Sequence, residues 1–219
     1  YYVAFCALNL YHGDAEKQIE SFIEHYPKHP KSITANYDLA NFYYIEKNYK
    51  KASSFYSKVD FSGLNVEQQN NGRFRWGYSL FNLKSLKEAL TQFNNIKSTG
   101  GLFGPAASYY AGFIEHSQAD YAAALTDLKR AEQNESYAKV VPYVIANVYN
   151  KQQDYDALLA YVRTIEGKEG VTNKEEIALL SAEAYYKKGD LKNALTGYNQ
   201  YLTGREEKAD KGVLLRAGY

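Results

Sequence analysis

Apolar, small and polar residues alternate along the chain with a long period. The recurring pattern is a polar residue, a large apolar residue, two variable residues and a small residue. It occurs at 48–52, 85–89, 120–124 and 190–194, at 154–158 with Leu158 in place of the small residue, and in a weaker first copy at 14–18. The last residues of these segments are 34, 37, 35, 34 and 36 residues apart, which indicates an array of repeats.

Each repeat is predicted to contain two helices. The polar residue can accept hydrogen bonds from the free N–H groups of a first helical turn, so the second helix begins there. These residues are Asp14, Asn48, Ser85, Asp120, Asp154 and Asp190. Twelve residues before each segment's end lies a small residue, where the first helix can approach the second closely. These residues are Cys6, Ala40, Gly77, Gly112, Ala146 and Ala182, with Gly218 in a seventh unit.

Larger residues complete the predicted core of each helix pair. Four residues after each segment come Phe22, Tyr56, Phe93, Leu128, Val162 and Tyr198. Three residues after the small site come Tyr43, Leu80, Tyr149 and Tyr185, although Asn9 and Glu115 break this rule. Spacings of three and four keep these side chains on one helix face, so we assign them to the core.

Period, small sites and caps together resemble the tetratricopeptide-repeat (TPR) family. The resemblance implies an all-α fold, a right-handed α-α superhelix of antiparallel helix pairs, with about six repeats and the first helix of a seventh. We predict one solenoid domain over 1–219. Its repeats span approximately 1–32, 33–69, 70–104, 105–138, 139–173 and 174–204, with a partial repeat at 205–219. Gly-containing segments at 61–65, 98–104 and 167–171 are predicted connections, with 100–104 a flexible loop.

Charge and composition exclude several classes of partner. The formal net charge is +1 and the basic residues are spread along the chain, so nucleic acid is not an expected partner. No apolar run approaches the ~18 residues of a membrane span. The chain contains no Met and starts inside a predicted helix, so we expect it to be a piece of a longer protein. Cys6 is the only cysteine, and its small-site position predicts a buried, unreactive thiol.

Catalytic and metal-binding patterns do not emerge from the sequence. His25 and His29 have a helical spacing, but Pro27 between them is expected to end the helix. The glycine-rich segment 100–104 lacks the Lys of a phosphate-binding loop. We therefore predict no enzyme activity, no cofactor and no metal site.

The TPR resemblance also implies a binding surface on the first helices of successive repeats, which line the concave face in that family. The predicted partner-binding residues are Tyr37, Asn41, Tyr44, Phe74, Tyr78, Phe81, Tyr109, Phe113, Tyr143 and Asn147. Aromatic side chains offer large contact area at low entropic cost, so we expect an extended segment or helix of a partner protein to dock there. Asn41 and Asn147 are candidates for hydrogen bonds to the partner's backbone.

Two alternatives remain for this surface. The aromatic side chains could pack against adjacent repeats, or against another part of the same protein, which would make the array a structural spacer or platform. The Lys, Asn and Arg clamp of chaperone-binding TPR proteins is incomplete, because only Asn41 and Arg75 remain of it.

The first repeats further resemble those of bacterial cell-envelope TPR proteins, namely outer-membrane assembly lipoproteins and the Tol-Pal coordinator. The resemblance lies in 22–32, followed by Ala35, Tyr37, Leu39 and Ala40. It implies a location in the periplasm or cell envelope, with the cytoplasm as the alternative.

Overall fold

The computed structural model describes residues 1–203 and 211–218. These residues form α-helices and one short 3-10 turn, Phe61–Gly63, and contain no strand. The helices are α1 (Tyr2–Asn9), α2 (Ala15–His25), α3 (Pro30–Ile45), α4 (Tyr49–Tyr56), α5 (Val66–Asn82), α6 (Leu86–Asn94), α7 (Phe103–Ser117), α8 (Tyr121–Glu132), α9 (Val141–Lys151), α10 (Tyr155–Ile165), α11 (Lys174–Lys187), α12 (Leu191–Leu202) and α13 (Lys211–Ala217). The predicted all-α fold class is confirmed.

The chain divides into two compact units, and the boundary between them falls within α7. Unit 1 comprises residues 1–107 and unit 2 residues 108–219. In unit 1, α3 packs against α4 and α5, and α5 packs against α6. In unit 2, α11 packs against α9, α10 and α12. Predicted repeat boundaries at 32/33, 69/70 and 104/105 fall inside α3, α5 and α7, and the predicted partial repeat at 205–219 lies partly outside the described residues.

All six predicted second helices start where the polar residues indicated. α2, α4, α6, α8, α10 and α12 begin directly after Asp14, Asn48, Ser85, Asp120, Asp154 and Asp190. In four of these helices the cap side chain accepts a hydrogen bond from a backbone N–H of the first turn, at 3.0 to 3.3 Å. The side chains of Ser85 and Asp14 make no such bond.

A left-handed residue joins the two helices of every pair. It is Tyr11, Lys47, Lys84, Ala119 and Gln153, with φ between 57° and 63°, and Gly189 with φ 79°. The next residue's N–H donates to the carbonyl oxygen five residues before it, at 2.9 to 3.0 Å in all six turns. This is the hydrogen-bonded left-handed ending common at helix C-termini.

Small residues bring the paired helices together in five repeats, as predicted. Ala40, Ala146 and Ala182 are buried, as are Gly77 and Gly112. A Cβ built on Gly77 would lie 2.8 Å from the ring of Phe93, and one on Gly112 would lie 2.7 Å from Cγ of Leu128. Because a methyl group does not fit at either position, these two helix pairs depend on glycine.

The predicted register of the first helix pair was wrong. Cys6 is exposed, so the expectation of a buried thiol is corrected. In the other five pairs the small site lies seven residues before the left-handed residue, and that position before Tyr11 is Ala4, which is 5% exposed. The turn before α2 is longer than in the other pairs, so Ala15 and Ile19 take the core positions of α2 and Gln18 is exposed.

Two further expectations from the sequence need correction. Gly218 is exposed and left-handed (φ 86°) just after α13, so it follows a helix end and does not fill a small site. The segment 100–104 is only partly a loop, because α7 begins at Phe103. The ring of Phe103, the first residue of α7, lies 5.6 Å from that of Phe74.

Candidate partner-binding surfaces

In unit 1, α3 and α5 carry six of the predicted binding residues on neighbouring faces. Tyr44, Phe74, Tyr78 and Phe81 are half-buried, as is Asn41. Tyr37 is only 8% exposed, because its ring lies against α5 where Gly72 leaves room for it. It is therefore the least accessible of the six.

Aromatic rings of α3, α4 and α5 pack edge-on in unit 1. The rings of Tyr44, Tyr49 and Tyr78 lie 5.8 to 6.1 Å apart, each pair steeply inclined. Phe74 stacks on Tyr78 at 6.3 Å. We call Tyr44, Tyr49, Phe74, Tyr78 and Phe81 the unit 1 aromatic surface. Edge-to-face packing of this kind holds the rings rigidly while leaving part of each accessible.

Asn41 lies within a hydrogen-bond network behind this surface. Its side-chain oxygen accepts from the hydroxyl of Tyr56 at 2.8 Å and from Arg75 at 2.7 Å. The Arg75 guanidinium also lies over the ring of Tyr44, 5.1 Å from its centroid. Burial raises the pKa of Tyr56 well above its ordinary value, so this hydroxyl keeps its proton and acts as the donor. Asn41 and Arg75 thus tie α3 to α5.

In unit 2 the four predicted residues lie in different surroundings. Phe113 on α7 is 40% exposed. The ring of Tyr109 lies 5.1 Å from that of Tyr137, and burial raises the pKa of Tyr109. Tyr143 on α9 packs against the apolar cluster formed by Ile165, Val171 and Ile177.

Asn147 lies close to His116 in unit 2. The side-chain oxygen of Asn147 and Nε2 of His116 are both shielded from solvent and lack a well-formed hydrogen bond. Burial lowers the pKa of His116, although the nearby Asn147 acts in the opposite direction. The neutral imidazole is therefore favoured at neutral pH.

Comparisons with known proteins agree on the fold. No protein-family model and no curated protein matches the sequence. The crystal structure of YrrB, described as a TPR protein with an unusual peptide-binding site, matches with a TM-score of 0.66 and 16% identity, covering 91% of this chain and 98% of YrrB. The crystal structure of MamA matches with a TM-score of 0.62 and 20% identity, covering 82% of this chain and 95% of MamA. The chain has the TPR fold.

In TPR terms, the predicted binding residues lie on the first helices of their pairs, which are α3, α5, α7 and α9. Sequence reasoning missed Tyr49, which lies on the second helix α4, and did not anticipate that Arg75 bonds Asn41. The two TPR structures lend no support to the resemblance with cell-envelope proteins.

Neither a metal site nor a membrane span is found in the described part of the chain. No three His, Cys, Asp or Glu side chains lie together there in a way that would hold a metal ion. No helix among these residues is both long and apolar enough to cross a membrane. The half-buried rings of the unit 1 aromatic surface are suited to contact with apolar groups.

Proposed function

We propose that this chain is a non-catalytic interaction scaffold whose unit 1 aromatic surface binds an apolar segment of a partner protein. The main observation behind this proposal is that the half-buried rings of Tyr44, Tyr49 and Tyr78 pack against one another. Rings that are already immobile lose little entropy on binding, and such residues dominate binding energies at interfaces.

The network behind the surface supports this proposal. Because Arg75 and Tyr56 already engage the oxygen of Asn41, recognition rests mainly on the rings and less on a hydrogen bond from that oxygen to a peptide. Arg75 also fixes the position of Tyr44. A pre-organised apolar surface favours partners with Leu, Phe or Trp side chains. The peptide-binding description of YrrB, a structure of the same fold, supports a peptide as the class of partner.

Selection of displayed peptides against the purified chain tests the proposal. Peptides enriched on the wild type should be lost from the variant Tyr78→Ala with Phe81→Ala, with affinity reduced at least tenfold. Tyr26→Ala is the matched control, since it removes a tyrosine that is 59% exposed on the turn after α2. Circular dichroism establishes that each variant is folded, and Phe81→Ala alone replaces the double variant if that one unfolds.

Selected peptides that bind wild type and Phe81 variants equally would overturn the proposal. That outcome would favour the alternative of a structural spacer, in which the rings serve only to pack α3, α4 and α5 together. The surface in unit 2 with Tyr109, Phe113, Tyr143 and Asn147 is proposed as a second contact region. Phe113→Ala tests it in the same selection.

We also propose a bacterial cell-envelope location, which rests only on the sequence resemblance of residues 22–32 and the following Ala35, Tyr37, Leu39 and Ala40. Fractionation of cells producing the full-length protein tests it. Recovery in the periplasmic or membrane fraction agrees with the proposal, and recovery with cytoplasmic markers contradicts it.

A further inference from the structure

Unit 2 contains a groove that lies apart from all ten predicted binding residues. It encloses about 440 Å³ and is lined by α10, α11, α12 and the connection between α10 and α11. The lining residues of α11 run from Lys174 to Tyr185, which at ~1.5 Å per residue corresponds to a length of about 16 Å. The volume is in the range of sites that hold small molecules.

The second helix of this pair adds no side chain to the groove at a position that is occupied in earlier pairs. Three residues after the end of the repeated segment, α4, α6, α8 and α10 carry buried or half-buried side chains, namely Phe55, Gln92, Asp127 and Tyr161. The equivalent residue of α12 is Gly197, which lines the groove. A Cβ on Gly197 would lie 2.9 Å from Cβ of Ala182, so no larger residue fits there unless α12 moves away from α11. The packing of this pair therefore leaves the groove open.

All three charged residues of the lining lie at one end of the groove. Arg163 belongs to the last turn of α10, Lys174 is the first residue of α11, and Glu166 lies in the connection between them. None of the three forms an ion pair with another residue of 1–203 or 211–218. The N-terminus of α11, which Asn173 does not cap with its side chain, adds partial positive charge at the same end. Two cations and a helix N-terminus against one carboxylate favour an anionic group.

The rest of the lining is uncharged. Apolar side chains come from α10 and α11, among them Leu159, Val162 and Ile177, whereas α12 adds the polar Asn193 and Thr196. An extended alkyl chain advances ~1.3 Å per carbon, so about 12 carbons match the ~16 Å along α11. An anion-binding end followed by an uncharged, largely apolar length suits a molecule with one anionic group and one long alkyl chain.

We propose that this groove binds a fatty acid of about 12 carbons, with its carboxylate between Arg163 and Lys174 and its alkyl chain directed along α11 towards Tyr185. Arginine and lysine side chains bind carboxylates through charge-assisted hydrogen bonds. Contact of the alkyl chain with Leu159 and Val162 removes apolar surface from water. This site is independent of the function proposed for the unit 1 aromatic surface.

Isothermal titration of the full chain with saturated fatty acids of about 6 to 14 carbons, below their micelle-forming concentrations, tests the proposal. We expect one molecule bound per chain. Because α12 presents polar groups to the groove, each added carbon is only partly buried and should raise the affinity about twofold. This rise should stop at about 12 carbons, where the groove ends. Dodecanol, which has the same alkyl chain without the charge, should bind about tenfold more weakly than dodecanoate.

Three variants alter the groove itself. Arg163→Gln with Lys174→Gln should weaken the binding of dodecanoate about tenfold, whereas Glu166→Gln should strengthen it about twofold by removing a like charge. Ala178→Phe, which places a ring in the groove, should abolish binding. The charge variants keep the test decisive if Ala178→Phe fails to fold.

Two controls separate binding in this groove from a general effect of charge and from binding at unit 1. Lys187→Gln removes an exposed charge on α11 outside the groove and should leave the affinity for dodecanoate unchanged. The variant Tyr78→Ala with Phe81→Ala should also bind dodecanoate normally, since it alters only unit 1. Equal affinities for dodecanoate and dodecanol, an affinity that survives Arg163→Gln with Lys174→Gln, or several molecules bound per chain would each overturn the proposal. The absence of binding by any fatty acid would overturn it as well.

Discussion

Replacing Gly112 by Ala tests whether close helix approach holds the α7–α8 pair together. The added Cβ would lie 2.7 Å from Cγ of Leu128 and 3.1 Å from the carbonyl oxygen of Ala124. Neither atom moves easily, because Leu128 is fully buried and its Cγ is the branch point of the side chain, while the oxygen belongs to the backbone. The helices must therefore separate locally to accommodate the methyl group.

Two opposing effects determine how much Gly112→Ala changes the free energy of unfolding. Ala is favoured over Gly inside a helix by about 0.5–1 kcal/mol. Forcing an extra methyl group into a filled core costs about 1–3 kcal/mol. The packing cost exceeds the helix gain, so we expect Gly112→Ala to lower the free energy of unfolding by about 1 kcal/mol.

Urea denaturation followed by circular dichroism at 222 nm measures this change. Trp76, the single tryptophan, lies in unit 1, so its fluorescence would not report directly on α7 and α8. Gly13→Ala is the control, since no atom lies within 4 Å of the added Cβ. It should stabilise the chain by about 0.4–1 kcal/mol through the unfolded state. If Gly112→Ala stabilises as much as Gly13→Ala, the close-approach argument is refuted.

Three further predictions concern single side chains. Cys6 should react completely with a thiol reagent in the native protein, and a protected thiol would contradict its observed exposure. Arg130→Ala should cost about 1 kcal/mol in urea denaturation, because the almost fully buried Asp127 loses a partner at 2.7 Å. Burial alone would raise the pKa of Glu16, but hydrogen bonds including one from Lys51 hold it below its usual value. Glu16→Gln should therefore cost less than about 1 kcal/mol near pH 7.

The Glu16 prediction has a defined pH dependence. A carboxyl whose pKa is depressed in the folded state stabilises the protein above its unfolded pKa of ~4.3, and this contribution is lost as the pH falls through the folded value. The stability difference between wild type and Glu16→Gln should shrink below about pH 4.3. A difference that stays constant down to pH 2 would contradict this reasoning.

For Arg130→Ala, the control is Lys58→Ala, whose exposed pair with Glu20 at 3.5 Å should contribute little.

Much of the fold could be predicted because the same types of residue recur at equivalent positions of successive helix pairs. Polar caps mark the second helices, and small residues mark the points where paired helices meet. The register of the first helix pair was predicted wrongly because its longer turn changes the spacing between the core residues Ala4 and Ala15. The spacing of the other repeats, applied to this pair, selects Cys6 and Gln18 instead. Backbone conformation at Tyr11 identifies the correct register, and sequence does not reveal it.

The candidate surfaces were predictable in position and less so in accessibility. Tyr37 and Phe74 occupy equivalent positions, yet Tyr37 is nearly buried because α5 approaches it at Gly72, whereas Phe74 is half-buried. That difference depends on which side chains the next helix supplies. A groove of about 440 Å³ in unit 2, lined by α10, α11 and α12, was not predicted at all, since it exists only after these helices pack together.

The left-handed turn within each helix pair has a consequence for how such a chain can change over time. Its hydrogen bond joins two backbone groups, and Tyr, Lys, Ala, Gln and Gly all occupy the left-handed position. Many residue types are thus tolerated at the left-handed position of the turn. At the small site seven residues earlier, the restriction is on the size of the side chain. Copies of one ancestral helix pair can then lose recognisable sequence similarity while keeping their geometry. A shape comparison still detects such a relationship where sequence profiles detect none.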